Sequence, residues 1–218
     1  MMIGPVIGIG GIFCILIASE LLWRTKFVHH AETSRKFVHI LTGVFVAFWP
    51  FFMSFGYIQL LSVAMLLVVL VSKHLHIFKS IHGVGRQTFG ELLFPAGIFI
   101  AATFAQSDWI YAAAVLHLSL ADGLAAVVGV RHLKRFSYRM FGQTKTVVGT
   151  FAFYLVSLAI TLAVVVFDVD SYGSMGQAIV FWLPISTTLL ENVATYGTDN
   201  LVIPLFVVVM LNSLQTAV

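Results

Sequence analysis

The chain has 218 residues, of which 60% are apolar and only 10% charged, and its mean hydropathy is +1.00. Soluble domains carry about 25% charged residues, so this balance excludes an ordinary soluble fold and predicts a polytopic helical membrane protein. The net charge of +3 and pI near 9.1 do not require nucleic acid as a partner, because basic loops are expected of such a protein.

Apolar runs at roughly 3–22, 37–55, 57–72, 91–106, 109–130, 147–167, 176–190 and 201–217 predict an all-α transmembrane helix bundle. It would have seven or eight spans in one integral membrane domain, residues 1–218. The runs do not alternate, which argues against a β-barrel. The first, second, fifth and sixth are long enough to cross outright, whereas the third, fourth and seventh are short. The eighth contains Pro204 and ends in a polar "NSLQT". The single cysteine, Cys14, lies in the first run and leaves no internal disulfide and no Cys metal cluster.

The charges provide an independent check on these spans. All twelve Lys and Arg fall in 24–36, 73–90 and 131–146, which are alternate loops of an eight-span chain. Asp108, Asp168 and Asp170 occupy the opposite loops. The positive-inside rule makes the basic face cytoplasmic and puts both termini on the other side.

Four stretches carry the chemistry. In "ETSRKFVHILTG", 32–43, Arg35 and His39 are one turn apart on a helix entering the membrane, with Lys36 beside them. Such cations suit phosphate oxygens, and they also serve to fix topology and meet anionic lipids. In "GRQTFGELLFPAG", 85–97, Glu91 opens an apolar run after Arg86. The helix dipole favours a carboxylate there, and the same carboxylate would suit Mg²⁺, which prefers oxygen ligands.

The third stretch, "SLADGLAAVVGVRHLKRFSYRMFGQTKTVVGT", covers 119–150. Asp122 lies about eight residues before the end of its span, too deep for a short side chain to reach open water. A carboxylate at mid-membrane costs about 2.5–3.5 kcal/mol on insertion scales, and intramembrane acids default to function. Gly123 and Gly129 thin the same helix for close approach of a ligand or neighbour. Arg131, Lys134, Arg135, Arg139 and Lys145 follow, with Gly142 among them, forming a cationic cup beside a buried acid. The fourth stretch, "ENVATYGTDNLVIP" at 191–204, puts Glu191, Asp199 and Asn200 at a break between two runs, where Asp199 is either a helix cap or a ligand. No Walker or protein-kinase phosphate motif is present.

Together the four stretches resemble the CTP-dependent polyprenol kinase family, which includes dolichol, phytol and CTP-dependent diacylglycerol kinases. The matching pieces are "SRKFVHILTG", "RQTFGELLFP", "LADGLAAVVGVR" with the basic loop to "KTVVGT", and "ENVATYGTDNLVIP", from residue 34 to 204. Val148 stands where the family usually has an acidic residue. More distantly, the stretch around Asp122 is similar to phosphatidate cytidylyltransferases.

The resemblance implies a kinase that phosphorylates the hydroxyl of a polyprenol, phytol or diacylglycerol at the cytoplasmic face, with CTP as donor and Mg²⁺ as cofactor. Asp122 would hold Mg²⁺, with Glu91 or Asp199 as a second carboxylate. Lys134, Arg135, Lys145 and Gly149 would meet the triphosphate from the loop, and Arg35 and Lys36, with His39, from the second span. Asp122, Asp199 or His39 would take the hydroxyl proton. The competing readings are a cytidylyltransferase using CTP and a transporter. A transporter predicts polar residues through the whole membrane, whereas the acids here gather at one leaflet.

Overall fold

The computed structural model describes residues 3–24, 31–75, 89–132 and 136–215. Among them lie eight long helices and one small hairpin. In chain order these are α1 (Ile3–Arg24), α2 (Ala31–Ala47), α3 (Phe55–His74), α4 (Gly90–Phe104), α5 (Asp108–Val130), strands β1 (Ser137–Met140) and β2 (Gln143–Thr146), α6 (Val147–Phe167), α7 (Gly176–Val193) and α8 (Asp199–Leu214). The all-α polytopic bundle is therefore present, and each helix falls on one predicted apolar run.

Some helix ends differ from the sequence expectation. The second run was expected to reach residue 55, but α2 stops at Ala47 because Pro50 cannot continue it and sits instead in a 3₁₀ turn, Trp49–Phe51. The third run, expected to be short, forms a 20-residue helix beginning after Ser54. Four helices are long and apolar enough to cross a membrane: α1, α3, α5 and α6.

Of these four, α5 is the axis of the bundle. Its apolar window is 61% buried, against 22%, 22% and 28% for α1, α3 and α6. It packs on α2, α6 and α8, while α3 and α8 both lie against α4. Small residues bring its neighbours close. A side chain at Gly43 of α2 would meet Ser119, one at Gly123 would meet Ile40, and Gly129 faces Gly149 of α6. Residues 117–121 form a π turn within α5. Its inserted residue shifts the phase of everything beyond it, beginning with Asp122.

Polar side chains stitch the apolar interior. His117 Nε2 lies 2.8 Å from Ser157 Oγ of α6, which lies 2.9 Å from Thr187 Oγ1 of α7. At one end of the bundle, Ser107 caps α5 by accepting from the Ile110 amide at 3.2 Å, and its Oγ donates to Asp168 at 3.4 Å. Nearby, Asn212 Nδ2 donates to the Phe104 carbonyl at 2.7 Å. The acids and cations of the four motifs gather at the other end.

Candidate active site

The basic segment expected as a loop folds in part into the β1–β2 hairpin, paired Ser137 to Thr146 through Met140 to Gln143. Its two-residue turn, Phe141–Gly142, has φ of 45° and 78°. Positive φ at both positions is the primed hairpin turn whose twist matches the strands. Gly142, expected to be a flexible point, is thus the residue that allows the turn to close. Thr146 ends β2 and caps α6, its Oγ1 accepting from the Gly149 amide at 3.0 Å. The "KTVVGT" spacing follows from this junction: Lys145 leaves the strand toward the bundle, Thr146 caps, and Gly149 packs against Gly129.

That junction forms one wall of a cavity of about 150 Å³. Lys36, Asp122, Lys145, Gly149, Glu191 and Asp199 all line it, drawn from α2, α5, β2, α6, α7 and α8. Residues from three of the four motifs therefore meet in one place. Thr146 and Thr150 also face the cavity, and Val148 does not. Asp122 is buried and accepts from Lys36 Nζ. Lys145 Nζ donates to Glu191 Oε1 at 2.6 Å and also to the Glu191 carbonyl. Asp199 is the first residue of α8 rather than its cap, and its Oδ1 accepts from the Asn200 amide at 3.1 Å.

Sequence reasoning placed the acids together but left Glu191, the carboxylate that Lys145 holds, out of the site. It also missed a cluster of Tyr138, Thr150 and Asn192, in which Tyr138 Oη lies 2.5 Å from Thr150 Oγ1 and donates to Asn192 Oδ1. The Glu-Asn pair opening the fourth motif was the available signal. Two further bonds fix that motif's turn to the start of α4: the Phe89 amide to the Tyr196 carbonyl at 2.9 Å, and Asn200 Nδ2 to the Gly90 carbonyl at 3.1 Å.

Other expected site residues lie elsewhere. Arg35, His39 and Glu91 line a second cavity of about 250 Å³ between α1, α2, α3 and α4, and Glu91 pairs with Lys73 at 2.5 Å. His39 lines this cavity and approaches the smaller one through Asp122. Its Nε2 is 2.9 Å from the Leu118 carbonyl and 3.5 Å from Asp122 Oδ2, and its ring lies 4.4 Å from that of Phe94. A carbonyl only accepts, so Nε2 carries the hydrogen and Nδ1 keeps the lone pair. Lys134 and Arg135, with Arg86, lie outside the described residues. Arg131 and Arg139 are exposed.

The donor set of the smaller cavity suits a hard cation. Among the described residues, no three His, Cys, Asp or Glu side chains are grouped so as to hold a metal by themselves. Mg²⁺ does not need such a group, because it is usually held by one or two carboxylates together with substrate phosphates and waters. Asp122 and Asp199 line the one cavity and are the carboxylates that could hold such an ion.

No family model and no solved structure matches the chain. Curated proteins do. A phytol kinase of Synechocystis sp. is 32% identical over 200 residues, covering 88% of this chain and 82% of that protein. A probable chloroplastic phytol kinase 2 of Oryza sativa subsp. japonica is 30% identical over 205 residues, covering 82% of this chain and 64% of that protein.

Proposed function

The chain belongs to the polyprenol and phytol kinase family and is a kinase of lipid alcohols, and we propose that it moves the γ-phosphoryl group of CTP onto an isoprenoid alcohol at the cytoplasmic face. One observation carries the catalytic assignment: His39 lines the apolar cavity and its Nε2 lies 3.5 Å from Asp122, which lines the charged one. A phosphate donor and a lipid acceptor need two such compartments meeting at one basic group.

Phosphoryl transfer depends on positioning and charge neutralisation. Lys36 and Lys145 would meet the triphosphate, with the Thr146–Thr150 turn beneath it. Asp122 and Asp199 would hold Mg²⁺, which when bound neutralises charge on the phosphates. The alcohol oxygen attacks the γ-phosphorus, the bond from that phosphorus to the β–γ bridging oxygen breaks, and CDP leaves. The hydroxyl proton passes to His39 Nδ1. The Asp122 carboxylate beside Nε2 then stabilises the imidazolium, in the way a buried acid supports a catalytic histidine elsewhere.

The test is purified protein in lipid vesicles with Mg²⁺, γ-labelled CTP or ATP, and a panel of phytol, longer prenols and diacylglycerol. Label in an organic-extractable monophosphate, obtained with CTP and a prenol, is the expected result. Transfer from ATP alone would replace the donor. Pyrophosphate released from CTP with phosphatidate would replace the reaction by cytidylyl transfer.

A further inference from the structure

The larger cavity has a chemistry of its own. Arg35 and Glu91 lie near the ends of α2 and α4 that face the charged cavity, His39 lies one turn farther along α2, and Thr42 about one turn beyond His39. The rest of its wall is apolar, from residues 9–16 of α1, 61–69 of α3 and Trp49. Along α3 it runs from Leu61 to Ser72, about 16 Å at 1.5 Å per residue. That is roughly half the ~30 Å hydrocarbon core, or the depth of one leaflet. Its volume of about 250 Å³ is below the ~300–1,000 Å³ of pockets for drug-sized ligands, which favours a narrow single chain over a bulkier two-chain lipid.

Among the described residues, two polar side chains in the wall lack a partner, Thr42 at the polar side and Trp49, whose Nε1 is buried without a hydrogen bond. Thr42 Oγ1 is buried and makes no hydrogen bond. Hydroxyls in comparable helical positions bond the carbonyl four residues back: Ser119 to Val115 at 2.7 Å, Thr161 to Ser157 at 2.8 Å, Thr188 to Pro184 at 2.6 Å. Buried polar atoms without partners are rare. Thr42 lies one turn beyond His39 on the same face of α2 and lines the same cavity.

We infer that the groove between α1, α2, α3 and α4 holds the hydrocarbon chain of a single-chain lipid alcohol, whose oxygen lies between Thr42 Oγ1 and His39. Thr42 is then a substrate-binding residue, and the apolar wall of α3 sets the chain length accepted. This rests on the reading of the Asp122 cavity as the site of phosphoryl transfer, because that reading places the reacting hydroxyl beside His39.

The decisive experiment does not depend on turnover. The full chain in vesicles is irradiated with a long prenol carrying a diazirine near its tail, and adducts are mapped by peptide mass spectrometry. Adducts are expected on 9–16 and 61–69, with a several-fold loss in Ala64→Phe, which adds bulk at an exposed position of the groove wall. In turnover, Ala64→Phe raises KM for the long prenol about tenfold, spares a five-carbon alcohol and leaves the nucleotide KM unchanged. Thr42→Val raises KM for alcohols of both lengths about five- to tenfold, again without touching the nucleotide KM. Adducts mapping to the outer faces of α6 and α7, or a chain-length profile unmoved by Ala64→Phe, would overturn the inference. Equal labelling of the groove by a diacylglycerol probe would overturn its single-chain part. Groove adducts in a protein whose Asp122→Asn variant keeps full activity would uphold the groove and remove the catalytic reading of the charged cavity.

Discussion

Arg35 and Lys36 are adjacent in the chain yet face different cavities. A helix turns about 100° per residue, and that step sends Lys36 to Asp122 and leaves Arg35 in the groove wall beside Glu91. The sequence reading aimed both at phosphate because spacing along a helix does not say which face meets which neighbour. Lys36→Met is accordingly expected to raise the nucleotide KM about tenfold or more, and Arg35→Met to shift the alcohol KM instead, with steady-state kinetics in both substrates as the check. Asp122 was legible from its depth alone, since an acid eight residues inside an apolar run needs a partner or a task. Its replacement by Asn should lower kcat about 10²–10³-fold, the usual loss when one preorganised electrostatic group is removed. Breaking a buried pair also costs about 3–5 kcal/mol. The thermal midpoint should therefore fall too, and activity is to be compared per folded molecule.

The helices were legible because each is one long apolar run; the ways they meet were not. The π turn at 117–121 has no marker in composition, and it sets the direction in which Asp122 points. The hairpin was hidden by its own charge: "SYRMFGQTKT" reads as a basic loop, and Phe-Gly is a weak turn signal beside the preferred Asn-Gly. The glycines of α5 were read as places of close approach, and the structure supplies the neighbours, Ile40 for Gly123 and Gly149 for Gly129. Gly123→Val would force Ile40 aside at the α2–α5 crossing. Overpacking of this kind costs about 1–3 kcal/mol, and here it also separates Lys36 from Asp122. A lowered unfolding midpoint in detergent together with a raised nucleotide KM is expected, and an unchanged midpoint would show that the crossing yields without cost.

Across the molecule, the two ends of the bundle differ in the manner the charge distribution anticipated. Lys36, Lys145, Asp122, Glu191 and Asp199 meet at one end, and Ser107, Asp168 and Asn212 bind at the other. The proposed cytoplasmic placement of the active end can be tested by chemical labelling. In a Cys14→Ser background, Arg139→Cys on the hairpin should react with a membrane-impermeant maleimide only from the cytoplasmic side. Gln106→Cys, exposed between α4 and α5, should react only from the opposite side. The reverse pattern would invert the bundle and put phosphorylation on the other leaflet. What could not be read at this scale was the division of the interior into two compartments, because it arises from side chains of all eight helices, many of them far apart in the chain.

The lysines of the charged cavity each already hold a carboxylate, Lys36 with Asp122 and Lys145 with Glu191. A phosphate that took either lysine alone would strand a buried negative charge, and a cation that took either carboxylate alone would strand a buried positive one. Both desolvation penalties vanish only when the two arrive as one ligand and all four partners are exchanged together. On the proposed function the cavity is therefore expected to act as a coincidence detector, taking up a nucleotide–metal complex in preference to free nucleotide or free divalent ion.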